Sequence, residues 1–179
     1  MSHNPVKTLM DEHEFIASAQ TIVRKLKNLW ESDPDAYREA LDKLLDFFVR
    51  YSDGFHHHKE EEVLFPQMRD HPGFMLGDIL QELEEHHDAF REFVQDIRAA
   101  AGSGEFKGAQ DLLEKYMEQL LDHIAIENDE LFIMAENLFS SDELERMYFL
   151  FEDVDAELGH AQKEQLVSGL KELENSIPG

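Results

Sequence analysis

The chain has no cysteine, which excludes disulfides, thiolate zinc sites and cysteine-ligated iron–sulfur clusters, and suits a reducing cytoplasm. It is short of positive charge: 16 Lys and Arg stand against 40 Asp and Glu, a formal net charge of −24. Such a surface repels phosphate backbones and anionic head groups, so no nucleic acid and no membrane partner is expected. No apolar run approaches the length that spans a bilayer, and the start, Met1-Ser2-His3-Asn4-Pro5, has no basic segment leading into an apolar one. A cytoplasmic location is the expectation. No segment alternates apolar and polar as a half-buried strand does, and there is neither a linker nor a low-complexity stretch. What the chain does have is 42% hydrophobic residues over 179 positions, enough to bury a core, and ten histidines.

Apolar residues recur at helical spacing almost throughout. The breaks predict helices over about Val6–Glu31, Pro34–Met68, Phe74–Ala101 and Phe106–Phe139. Ser140 with Glu143 forms a capping box that opens a fifth helix reaching about Glu174. The expected fold is all-α: an antiparallel four-helix bundle over about 6–139 with an additional C-terminal helix over about 141–174, all in one domain.

Two helices carry a His-x-x-x-Glu pair, one in the run Phe55-His56-His57-His58-Lys59-Glu60-Glu61-Glu62 and one in His123-Ile124-Ala125-Ile126-Glu127. Residues four apart share a helix face, with Cβ atoms roughly 5–6 Å apart, so an imidazole and a carboxylate can bind one metal while the carboxylate bridges to a second. A lone pair of this kind arises easily on a helix rich in Glu and His. Two pairs, each with Leu-Phe beginning eight residues after the histidine, form a pattern.

The first run offers three pairs. On an α-helical wheel of about 100° per residue, Leu45, Val49 and Val63 lie within about 20° of His56. His57 falls with Glu39, Asp46 and Arg50 on a polar face, and His58 lies towards Phe47 and Phe65 at the other margin of the apolar arc. The phase therefore selects His56 with Glu60. His13 sits in a stripe with Leu9, Ile16 and Val23, and His87, in the matching frame of Leu83, Phe90 and Ile97, is preferred to His86. Taken singly, His13 reads as a core histidine and the His56–His58 run as a solvated face. Six such groups converging in one core would be costly to bury unpaired, and a metal satisfies all of them. A rival set, Glu84-x-x-His87 with Glu157-x-x-His160, has the spacing of ferritin-like carboxylate proteins but leaves both His-x-x-x-Glu pairs idle.

Glu12-His13, His56-x-x-x-Glu60 before Val63-Leu64-Phe65-Pro66, His87-Asp88, and His123-x-x-x-Glu127 before Leu131-Phe132 resemble the hemerythrin-like (HHE) family. The resemblance spans about Met10–Met134 and implies a bundle holding two non-haem irons. Carried over by position, the implied metal residues are His13, His56, Glu60, His87, His123 and Glu127, the two glutamates bridging, with an oxo or hydroxo bridge between the irons. Animal oxygen carriers of the family have a histidine one turn before the third-helix ligand and an aspartate five residues after the fourth-helix histidine. Leu83 and Asn128 stand there, so the set resembles the microbial four-histidine, two-glutamate variant.

Imidazole and carboxylate donors suit iron and also accept zinc or manganese. The expected partner is a small oxidant (dioxygen, nitric oxide or peroxide), in sensing, storage or stress response. Iron handling, iron-centre repair, or a helical interaction module with a structural metal are the alternatives. No general acid or base is identifiable, and the oligomeric state is not legible in the sequence.

Overall fold

The first helix is started by Asn4, whose side chain accepts the Val6 backbone N–H at 2.9 Å, with Pro5 following at the first helical position. In the computed structural model, which describes residues 3–177, the chain is all-α, and no strand occurs among the described residues. Helices α1 (Pro5–Ser18) and α2 (Gln20–Leu26) form the first rod. It was expected to run on to Glu31 but stops at Lys27, because Asn28 takes a left-handed conformation (φ 67°) before the short α3 (Leu29–Ser32).

Asp33 caps α4 (Pro34–Phe47), its Oδ1 accepting the Ala36 N–H at 3.0 Å. The second rod continues as two π-helical stretches, π1 (Phe48–His57) and π2 (Glu60–Leu64), and ends as α5 (Phe65–Asp70). The third rod is α6 (Gly77–Gly102), which begins three residues later than Phe74. The fourth is α7 (Phe106–Ile126), π3 (Glu127–Leu131) and α8 (Phe132–Leu138). Both glutamates of the His-x-x-x-Glu pairs open a π stretch, an irregularity that in general gathers at functional sites.

The C-terminal segment is two helices rather than one. The Ser140–Glu143 capping box forms as expected and starts α9 (Ser141–Leu158). Gly159 then adopts φ +100°, a conformation that favours glycine, and α10 (His160–Ser176) turns away. The pair is no appendage. Met147 and Phe151 of α9 join one apolar cluster, and Leu170, Leu173 and Ile177 join the other.

Those two clusters position the site. One gathers Val6, Leu9, Val63, Leu64, Leu80, Leu83, Leu131 and Phe132. The other contains Ile16, Leu45, Phe48, Phe90, Val94, Met117 and Leu120. His13 lies between Leu9 and Ile16, and His87 between Leu83 and Phe90, so each of these helices passes from one cluster to the other at a histidine. A polar layer thus crosses an otherwise apolar bundle.

Candidate metal centre

In π1 the chain bonds i→i+5, so each residue turns it less than the 100° of an α-helix. The wheel that separates His56 from His57 therefore does not apply. Val49, expected inside, is 37% exposed, and His57, expected on a polar face, is 2% exposed. Both neighbouring histidines point inward; His58 is exposed. Phase therefore does not separate the two: His56, the expected residue, and His57 are both buried among the candidate donors.

Seven side chains form two overlapping groups whose donor atoms lie within 4.8 Å of one another. One holds His13, His56, Glu60 and Glu127; the other holds His57, Glu60, His87 and His123. Glu60 belongs to both. Glu127 reaches from His13 Nε2 (3.1 Å) to His123 Nε2 (3.2 Å), so it too spans the two groups. Glu60 lies 3.5 Å from His56 Nε2 through one oxygen and 3.5 Å from His87 Nε2 through the other. All six residues expected from the sequence come together, and His57 makes a seventh. The rival set does not assemble, because Glu157 and His160 are exposed and Glu84 pairs with Arg69 at 2.9 Å.

The inner atoms lack partners. His13 Nε2, His56 Nε2 and all four oxygens of Glu60 and Glu127 are buried without a hydrogen bond, close to one another but misaligned. His87 Nε2 and His123 Nε2 face each other at 3.1 Å. Protein interiors seldom leave such groups unmatched, and a cation between them would satisfy every one.

The outer atoms, by contrast, are all engaged. His13 Nδ1–H donates to Asn128 Oδ1 (2.8 Å), His56 Nδ1–H to Glu12 Oε2 (3.0 Å), His57 Nδ1–H to Asp53 Oδ1 (3.2 Å) and His87 Nδ1–H to Glu61 Oε1 (2.7 Å). His123 Nδ1 shares a hydrogen with His86 Nδ1 at 3.3 Å. Placing a proton on the outer nitrogen leaves a lone pair on the inner one, the tautomer a metal requires. Arg91 holds both Asp53 and Glu61 at 2.8 Å, fixing the acceptors of His57 and His87 together.

Electrostatics favours neutral imidazoles at His56 and His57. Burial, then the neighbouring His13, brings His56 down to about 4 despite Glu12 beside it. Burial, then His87, carries His57 well below the usual histidine value. Burial and the facing Glu127 push Glu60 well above the ordinary carboxyl range. Burial acts on Glu127 in the same sense, but His123 and His13 outweigh it and hold Glu127 well below that range. Two carboxyl groups in one dry pocket resist ionising together unless positive charge lies between them.

A cavity of about 200 Å³ between α6 and α7, lined by His86, Phe90, Gln119, Asp122, His123 and Ile126, reaches the His123 side of the layer. Sequence reasoning missed His57 and the outer partners Asp53, Glu61, Arg91 and Lys59. The three consecutive histidines were the available signal, since no single α-helical face explains them. Glu61 stands in the run Glu60-Glu61-Glu62, where a solvated face is the default for a charged side chain, as holds for Glu62.

The family model for the hemerythrin HHE cation binding domain matches residues 4–135, most of the chain and the whole of this polar layer. No curated protein and no solved structure matches the chain. Among the described residues no helix is long and apolar enough to cross a membrane. Motif order, bundle and converging donors agree with that match, and the chain belongs to the hemerythrin HHE cation-binding domain family.

Proposed function

We propose that the protein binds two iron ions side by side in the polar layer and presents them to a small oxidant: dioxygen, nitric oxide or peroxide. His13 and His56 hold one ion, and His57, His87 and His123 hold the other. Glu60 and Glu127, each within reach of histidines of both groups, would be shared by the two ions, with an oxo or hydroxo group completing the pair. The observation that carries the reading is the pattern of five histidines engaged at Nδ1 from outside, four of them with Nε2 turned inward onto two unpartnered carboxylates and the fifth, His57, in the same group. Donors of this type suit iron, and also zinc or manganese, so the metal is decided by analysis.

A ferrous pair held there would supply electrons to an oxidant. The protein's part is to orient the imidazoles, exclude bulk water and leave a small approach. The division into two and three imidazoles makes the two positions unequal. The cavity beside His123, lined by Phe90 and Ile126 as well as His86, Gln119 and Asp122, gives a small molecule an approach from the side of the three-imidazole group. Use in sensing or storage is the expected setting.

Anaerobic reconstitution followed by metal analysis, Mössbauer spectroscopy, and optical spectra before and after oxidant tests the reading. Two irons per chain and new charge-transfer bands are expected. One ion per chain, or spectra indifferent to every oxidant, would instead indicate a structural metal.

A further inference from the structure

The two halves of the centre are braced differently. The acceptors of His57 and His87 are held by Arg91, inside the region that the family match covers. The acceptor of His56 is Glu12, which belongs to a buried charge quartet drawing half its members from beyond residue 135. Lys59 Nζ lies 2.7 Å from Glu12 Oε1 and 2.6 Å from Asp155 Oδ1. Lys163 Nζ lies 2.6 Å from the same Glu12 oxygen and pairs with Asp155 Oδ2. Glu12 Oε2 is left for His56 Nδ1–H at 3.0 Å. Lys59 is 0% exposed and Glu12 and Asp155 are each 5% exposed, so little solvent screens these pairs.

Two cations and two anions leave the quartet neutral, and it reaches the polar layer through the Glu12–His56 bond. Asp155 lies on α9 and Lys163 on α10, the two helices joined at Gly159. Burial raises Glu12, but His56, Lys59 and Lys163 together hold it below the usual carboxyl range, so it stays an ionised acceptor. How much negative charge Glu12 offers His56 depends on how far the two ammonium groups are also engaged by Asp155. A stronger acceptor at Nδ1–H makes the opposite nitrogen a better metal donor.

We propose that Asp155 and Lys163 of the C-terminal helix pair are positioning residues for the metal position served by His13 and His56, setting through Glu12 how tightly that position binds its ion. The proposal rests on the two-metal reading. The segment beyond the family match then tunes one ion of the pair, while Arg91 serves the other. The two directions of change have opposite signs. In Asp155→Asn, both ammonium groups lean on Glu12 alone, which becomes a weaker acceptor. In Lys163→Met, Glu12 loses one of its two cations and becomes a stronger one. The double variant restores neutrality.

The test compares the full-length wild type with these three variants. Metal affinities are read by competition against a chelator, and the His56 Nδ1 proton is observed by NMR in metal-free protein. Asp155→Asn is expected to weaken one of the two ions several-fold, less than the roughly 10-fold or more typical when a ligating histidine loses its direct outer partner, which here is Glu12. Lys163→Met, altering a side chain that is 19% exposed, is expected to leave that ion bound as tightly or several-fold more tightly. The double variant should return towards wild type. In metal-free protein the His56 proton should shift in opposite senses in the two single variants. Losses in both single variants, an unchanged affinity in Asp155→Asn, or a His56 proton that does not shift in opposite senses would overturn the proposal and leave the quartet a packing device. Should Asp155→Asn fail to fold, Lys163→Met and the proton shift still decide. A wild type that binds fewer than two ions defeats the two-metal reading separately, and the His56 proton then settles the coupling alone.

Discussion

Replacing Glu60 by glutamine should make the metal-free protein more stable and the metal-loaded protein less so. In the metal-free chain the Glu60 oxygens face the inward nitrogens of His56 and His87 at 3.5 Å, and both have lone pairs there because their protons are directed outward. Neither oxygen has a hydrogen-bond partner, and burial with Glu127 opposite opposes the ionised form. Glutamine keeps the shape, cannot ionise and brings two N–H donors that an imidazole nitrogen or Glu127 can accept. Relieving one buried unsatisfied group contributes about 1–3 kcal/mol, which for a chain of this length raises Tm by roughly 3–9 °C. Loading reverses the order, since Glu60 is shared by both metal groups and its loss weakens both. Two ions, each supplied at about a hundred times its Kd, add about 5 kcal/mol to the wild type, and the variant forfeits most of that, more than its metal-free gain. Calorimetry with chelator and with ferrous iron under nitrogen gives the four melting temperatures. A metal-free Glu60→Gln protein melting at or below the wild type would refute the claim that the empty centre is frustrated.

His57→Ala should lose at least one ion per chain by metal analysis, whereas the exposed neighbour His58→Ala should keep two. Acid should destabilise the metal-free form. His56 titrates near 4 when folded against roughly 6.5 unfolded, so the unfolded chain binds the extra proton and stability falls as pH drops through that window, by about 1.4 kcal/mol per pH unit for this group. His57 acts in the same sense, and Glu60, its value raised, opposes it, so denaturant midpoints taken between pH 7 and 4 should fall with one group's net slope or more. Gly159→Ala forces a side chain into φ +100° and should lower Tm by a few degrees, about 1–2 kcal/mol; an unchanged melting curve would mean that the α9–α10 joint relaxes freely.

Most of the bundle could be read from periodicity and punctuation, because Asp33-Pro34, Gly102-Ser103-Gly104 and Ser140 with Glu143 act locally and are indifferent to tertiary context. The inward placement of His13, His87 and His123 was legible for the same reason: each lies on a regular α-helical stretch, where a fixed angle per residue holds. That reasoning failed at His57, where π1 changes the angle, and no residue-type preference announces such a stretch. Lys59 and Glu61 were illegible for another reason. Charged side chains default to solvent, and these two are drawn inward only by partners distant in sequence, Asp155 for one and His87 with Arg91 for the other. Gly159 passed unremarked inside an amphipathic run that continues on both sides of it.

The depth of the polar layer bears on how quickly the centre can fill. Its seven donor side chains are at most 2% exposed, so no approaching ion meets a ready-made cup of ligands at the surface. Collision is then not the slow event. Loading waits for the rods to part, and the rate should climb with metal concentration only until each opening captures an ion before it closes, after which it levels off. The π stretches beside Glu60 and Glu127 lack the i→i−4 ladder of their flanks and are the natural places for that parting. Release meets the same barrier from the other side, so an ion once seated should outlast many encounters with a chelator in solution.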